Sequence, residues 1–98
     1  MNLYAVMRTH GTAWQKTLPV EAQAEWASHA AFMDALADER FVVLGGPLEG
    51  TDDVLLIVRA SSPTEIADRL RQDPWSANDL LKTSRISPWT IRLGSSPL

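Results

Sequence analysis

Two segments of this chain, Leu3 to Met7 and Val54 to Val58, are of strand length and apolar on both of their alternating faces. Side chains in a strand point alternately to opposite sides, so such strands need cover above and below the sheet. A chain of 98 residues has little material for two layers of cover. A domain of that size buries only about 60–65% of its unfolded surface. That conflict restricts the solutions more than any other feature.

The segments between the strands show how one side is covered. Pro19 suits the first turn of a helix, and Glu21 and Glu25 suit its positive end. Ala22, Trp26, His29, Met33 and Leu36 then recur at helical spacing, which predicts an amphipathic helix ending near Asp38–Arg40. Phe41-Val42-Val43-Leu44 reads as a second strand closed by Gly45-Gly46-Pro47, where a turn or bulge is expected, and Leu48 to Asp53 reads as a hairpin loop. Ser62-Pro63-Thr64-Glu65 is a capping box with proline at the first helical position. This second helix, with Ile66 and Leu70 on its buried side, must end by Asp73, because Pro74 disfavours helical geometry in the residue before it. Trp75 to Leu81 has room for a short helical turn, and the alternation of Trp89, Ile91 and Leu93 predicts the last strand. Residues 94–98 read as a loose tail, and 1–98 as one domain.

The order is β-α-β-β-α-β, the ferredoxin-like split βαβ arrangement of the α+β class, with a four-stranded antiparallel sheet. Right-handed crossovers place both helices on one face. The other face stays bare, and leaving several such side chains in water forfeits about 1.5–3 kcal/mol each. Packing the bare faces of two copies together resolves the conflict, so a homodimer in the form of a dimeric α/β barrel is expected, with higher assembly left open.

Composition removes several functions. A net charge of -3 gives no basic face to replace phosphate counterions, which argues against a nucleic-acid partner. With no cysteine there is no disulfide, thiolate metal site or cysteine nucleophile, which suits a reducing cytoplasm. The N-terminal segment lacks the charged and apolar regions of a signal peptide, and no apolar run approaches the roughly 20 residues of a membrane span. A soluble, cytoplasmic protein without a membrane partner is expected. His10 and His29 match no metal-ligand spacing, and no glycine-rich nucleotide fingerprint occurs, so neither metal nor cofactor is expected.

His29 is the first candidate for chemistry. Its place on the apolar stripe turns it towards the sheet, either as a core histidine bonded to backbone or as a general base. A base needs an orienting partner. Asp73, released from the second helix by Pro74, is available to receive one ring N–H, or else to cap the short helix that follows. Arg8, at the end of the first strand, is either a solvated strand-end residue or the partner of a substrate carboxylate. Gly45 and Gly46 permit close backbone approach to a ligand or mark a bulge, with Pro47 beside them. Trp75 and Trp89 are candidate apolar pocket walls, or ordinary core and interface residues.

Taken together, His29 in the first helix, Gly45-Gly46-Pro47-Leu48 after the second strand, Asp73-Pro74-Trp75 after the second helix and Pro88-Trp89 in the last strand resemble the pattern of the YciI-like (YCII-related) family of the dimeric α/β-barrel superfamily. The resemblance spans residues 1 to about 93. It implies a sheet-to-sheet dimer and a pocket with a His-Asp dyad, here His29 and Asp73. It also implies a cofactor-independent lyase or isomerase acting on a small ring compound, since relatives include a dehydrochlorinase of a chlorinated hydroxyhydroquinone and, farther off, muconolactone isomerase. The superfamily also hosts cofactor-free monooxygenases. A non-catalytic small-ligand-binding or accessory protein is the alternative in another class. The tryptophan-bearing segment Gly11 to Leu18 is expected to reshape the pocket mouth.

Overall fold

The computed structural model describes residues 2–94. The loose tail expected at 94–98 lies outside the described residues except for Gly94. Strand β1 (Asn2–His10) leads through a 3-10 turn at Val20–Ala22 into helix α1 (Trp26–Asp38). There follow β2 (Val42–Pro47), β3 (Asp53–Ala60), α2 (Pro63–Leu70), the single turn α3 (Pro74–Ala77) and β4 (Leu81–Pro88). The strands form one sheet in the order β2-β3-β1-β4 with every neighbouring pair antiparallel. This is the ferredoxin-like α+β fold, with the two doubly apolar strands at its centre.

Tyr4 and Val6 of β1, Leu56 and Val58 of β3, Leu36 of α1, and Ile66 and Leu70 of α2 share one buried cluster, so both long helices cover the same face. On the helix-free face the register sets Ala5 beside Ile57 and Ile57 beside Leu44. Leu44 is 58% exposed there.

Local chemistry accounts for the boundaries. Ser62 caps α2 by accepting a hydrogen bond from the Glu65 N–H at 3.2 Å, while the Glu65 carboxylate accepts from the Ser61 N–H at 2.7 Å. The box therefore closes one residue earlier than the usual reciprocal pair. Gly50, with φ of 79°, makes the hairpin turn between β2 and β3.

Three elements differ from the sequence expectation. The first helix starts at Trp26 rather than Pro19, and Pro19 instead precedes the 3-10 turn. The interruption is Gln23, whose backbone is extended. Its side chain accepts from the Gln15 N–H and donates to the carbonyls of Gln15 and Leu18, pinning the preceding loop. Second, Gly45-Gly46-Pro47 neither turns nor bulges but continues β2, Gly45 opposite Leu56 and Gly46 opposite Leu55. The register shift falls earlier, between Val42 and Leu44. Pro47 is tolerated because β2 is an edge strand, where a missing N–H need not cost a ladder bond. Third, β4 is Leu81–Pro88, not a strand centred on Trp89 to Leu93. As the opposite edge strand it exposes Lys82, Thr83, Ser84 and Arg85, so it lacks the apolar alternation by which buried strands are found. Trp89 follows its end and donates its backbone N–H to the Leu3 carbonyl.

Candidate active site

Pro74 does more than keep α2 from continuing. Helix α2 closes at Leu70, and Asp73 becomes the N-cap of α3, accepting the Trp75 N–H on Oδ1 at 3.0 Å. The capped turn leaves the carboxylate facing α1 and β1. His29, buried on α1, brings Nδ1 within 2.9 Å of both Asp73 oxygens. Arg8 donates from Nη1 to Oδ2 at 2.8 Å. Both alternatives open for Asp73 are realised at once, since one side chain caps a helix and receives the imidazole.

Arg8 departs from the solvated strand-end reading. It is 1% exposed, with its second terminal nitrogen on the Ser76 hydroxyl at 2.7 Å, and that hydroxyl in turn donates to the Leu70 carbonyl at 2.7 Å. These two guanidinium nitrogens are spent within the protein rather than free for a substrate carboxylate. Nε alone is buried without a partner.

Burial by itself would raise the Asp73 pKa, but hydrogen bonds from His29 and Arg8, the Trp75 N–H and the charge of the histidine outweigh it and hold the carboxyl below its ordinary value. The folded state thus binds this proton less readily than the unfolded chain. Its contribution to stability is present above the unfolded value of about 3.9 and is lost as pH falls through the lowered folded value. Denaturant titrations between pH 6 and 3 should therefore show stability falling towards acid. The fall should be shallower in Asp73→Asn, which has no proton to take up there.

The imidazole of His29 lies flat on Trp75, ring centres 3.7 Å apart and planes 5° from parallel. Trp75 is itself held by donating its indole N–H to the Ala24 carbonyl at 2.7 Å. Position, tilt and one nitrogen of His29 are all fixed, and the ring borders a cavity of about 560 Å³. Apolar side chains such as Met33, Val54 and Leu56 make much of the wall, and Arg8, Trp75 and the Gly45-Gly46-Pro47 segment also reach it. A Cβ on Gly45 would come within 2.7 Å of the Leu56 side-chain terminus, so a larger residue there would have to displace that methyl group at this wall.

The structure thus brings together His29, Asp73, Arg8, Gly45, Gly46, Pro47 and Trp75. Trp89 does not belong with them. It is 43% exposed beyond the end of β4 and is absent from the cavity wall. Trp14, the tryptophan of the Gly11 to Leu18 segment expected at the pocket mouth, lies on the cavity wall and meets Trp75 edge-on at 5.6 Å. Ser76, which steadies Arg8, is a participant that sequence reasoning missed, and no local signal marks it. Among the described residues no group of three or more His, Cys, Asp or Glu side chains is arranged to hold a metal ion, and no helix is long and apolar enough to cross a membrane.

The chain is thus a ferredoxin-like α+β domain that carries a buried carboxylate paired with a cavity-facing imidazole. The model of the YCII-related domain matches residues 3–90. The chain belongs to the YCII-related family. Among solved structures it is similar to 5-chloro-2-hydroxyhydroquinone dehydrochlorinase (TftG) from Burkholderia phenoliruptrix, in complex with 2,5-dihydroxybenzoquinone. The TM-score is 0.57 at 20% sequence identity, covering 94% of this chain and 95% of that one, which establishes a common fold. No curated protein matches the sequence.

Proposed function

We propose that this protein is a cofactor-independent enzyme of lyase or isomerase type that moves a proton on a small ring compound. The observation that carries this reading is the pairing of His29 Nδ1 with the Asp73 carboxylate beside an apolar cavity. With Nδ1–H donated to Asp73, the lone pair of Nε2 is free to accept a proton. The Arg8 guanidinium compensates much of the Asp73 charge, so Asp73 serves to select the tautomer and aim the ring more than to raise its basicity.

His29 Nε2 accepts a proton from an acidic O–H or C–H of the ring substrate, and the electron pair left behind delocalises as an enolate. A lyase returns that proton to the ring carbon bearing the leaving group, and loss of a second O–H proton then expels the group as its anion while the ring becomes a quinone. An isomerase returns the proton from His29 at another position. The apolar wall keeps water from competing for the proton. A reaction of the kind named for the structural neighbour, loss of chloride from a chlorinated hydroxyhydroquinone, fits this scheme. The test is release of chloride from 5-chloro-2-hydroxyhydroquinone, together with product analysis on unchlorinated hydroxyquinols and unsaturated lactones. Turnover that depends on His29 supports the reading, whereas saturable binding without product points to a ligand-binding protein.

The same reading takes the working form to be a homodimer closed sheet to sheet. Leu44, 58% exposed on the helix-free face beside Ile57, supports it, because a large apolar side chain in water there gains by burial against a second copy. Light scattering at micromolar concentration should give twice the chain mass, and Leu44→Lys should shift the population to monomer. A wild-type monomer would contradict it.

A further inference from the structure

The cavity that His29 borders has a second histidine on its wall, His10. Strand alternation sets it on the same face of β1 as Arg8, two residues further on. Its ring lies on Trp14 as that of His29 lies on Trp75, with centres 3.7 Å apart and planes 10° from parallel. Because Trp14 meets Trp75 edge-on at 5.6 Å, the rings run in an unbroken row from His10 through Trp14 and Trp75 to His29.

The outer half of this row is built as firmly as the inner half. The Gly11 N–H donates to the Leu80 carbonyl at 2.9 Å, and the Ala13 N–H to the Asp79 carbonyl at 3.0 Å. The Thr12 N–H donates to the Asp79 carboxylate at 3.1 Å. A Cβ at Gly11 would sit 2.1 Å from the Asp79 carbonyl oxygen, so only glycine admits this approach. Asp79 itself holds a left-handed φ of 59° and is kept ionised to lower pH by its bonds from Thr12. These contacts place Trp14, and Trp14 places His10.

His10 Nδ1 points towards Asp52 but stops 3.5 Å from its oxygen, too far for a well-formed hydrogen bond, and is otherwise buried without a partner. Nε2 lies on the other side of the ring. Nδ1 is enclosed and turned to Asp52, so Nε2, which makes no hydrogen bond among the described residues, is the nitrogen this wall residue has left for a ligand.

We propose that His10 is a second ligand-anchoring residue of this cavity, so that the ligand is a flat ring bearing oxygen functions on opposite sides, one met by His29 and the other by His10. This rests on the reading that the cavity takes a ring compound at His29. The two imidazoles stand at opposite ends of the row with two indole rings between them, so they address different parts of a bound ring.

The test is calorimetric titration with 2,5-dihydroxybenzoquinone, which has oxygens across the ring, and with phenol, which has one. His10→Phe keeps a flat ring for Trp14 to stack on and removes both nitrogens, while His10→Gln restores a polar group without the ring. His10→Phe should weaken the dihydroxyquinone at least about tenfold and phenol by less than about twofold, with His10→Gln between wild type and His10→Phe for the quinone. Equal losses for both compounds would show a structural role and overturn the proposal. So would unchanged binding, or failure of the wild type to bind the quinone. His29→Gln should weaken both compounds. If it leaves both unchanged while His10→Phe still discriminates, the reading of His29 falls and that of His10 stands.

Discussion

Asp73→Ala is expected to destabilise the protein by about 3–5 kcal/mol, enough to leave much of a marginal domain of this size unfolded. The carboxylate is fully buried and serves three donors at once, from Arg8, His29 and the Trp75 backbone. Its removal strands the Arg8 guanidinium, 1% exposed, without a counter-charge and strips the cap from α3. Asp73→Asn should cost less, because an amide oxygen can still accept from the Trp75 N–H. Chemical denaturation of the three proteins at neutral pH measures the difference. The double replacement Arg8→Met with Asp73→Leu should recover part of the loss, since it removes both charges together. A loss below about 1 kcal/mol for Asp73→Ala would mean that the buried ion pair is not formed as described.

The second large effect falls on activity rather than on folding. His29→Gln should lower turnover of a ring substrate by about 10²–10⁴-fold, the usual worth of a positioned general base. Its stability should change far less than that of Asp73→Ala, because no buried charge is left alone. The two variants separate the roles of the pair: His29 handles the proton, and Asp73 holds both His29 and Arg8 in place. Steady-state rates beside denaturation midpoints make the comparison. Comparable turnover in wild type and His29→Gln would remove the imidazole from the reaction.

The elements that sequence reasoning located correctly are those whose causes are local. Ser62 to Glu65 is a contiguous capping signal, and it begins α2. Val54 to Val58 is continuous in apolar character because it lies second in the sheet with cover to find on both faces. The candidate pair was legible for a related reason: helical spacing turned His29 inward, and Pro74 forced Asp73 out of α2. What escaped was decided by contacts across long stretches of chain. The burial of Arg8 depends on Asp73, 65 positions away, and on Ser76, 68 away, and nothing adjacent to Arg8 announces it. The late start of α1 depends on Gln23 reaching back to Gln15 and Leu18. Strand β4 was misplaced because an edge strand with Lys82 to Arg85 exposed carries no hydrophobic period, while the alternation from Trp89 onward imitates one. The YCII-related pattern spanned that error without correcting it, since Pro88 closes the strand and Trp89 lies beyond.

The central claim is that Asp73 holds His29 as the tautomer protonated on Nδ1, leaving Nε2 as the free base. The tautomer follows from the heavy-atom geometry and is directly measurable. Long-range proton–nitrogen correlation spectra of the protein labelled with 15N histidine, recorded above the pH at which His29 becomes neutral, report which nitrogen carries the hydrogen. The account predicts that His29 shows a protonated Nδ1 and an unprotonated Nε2, and that Asp73→Asn shifts the population away from that form. A His29 protonated on Nε2 in the wild type would contradict it, because the lone pair would then face Asp73 and no base would face the cavity.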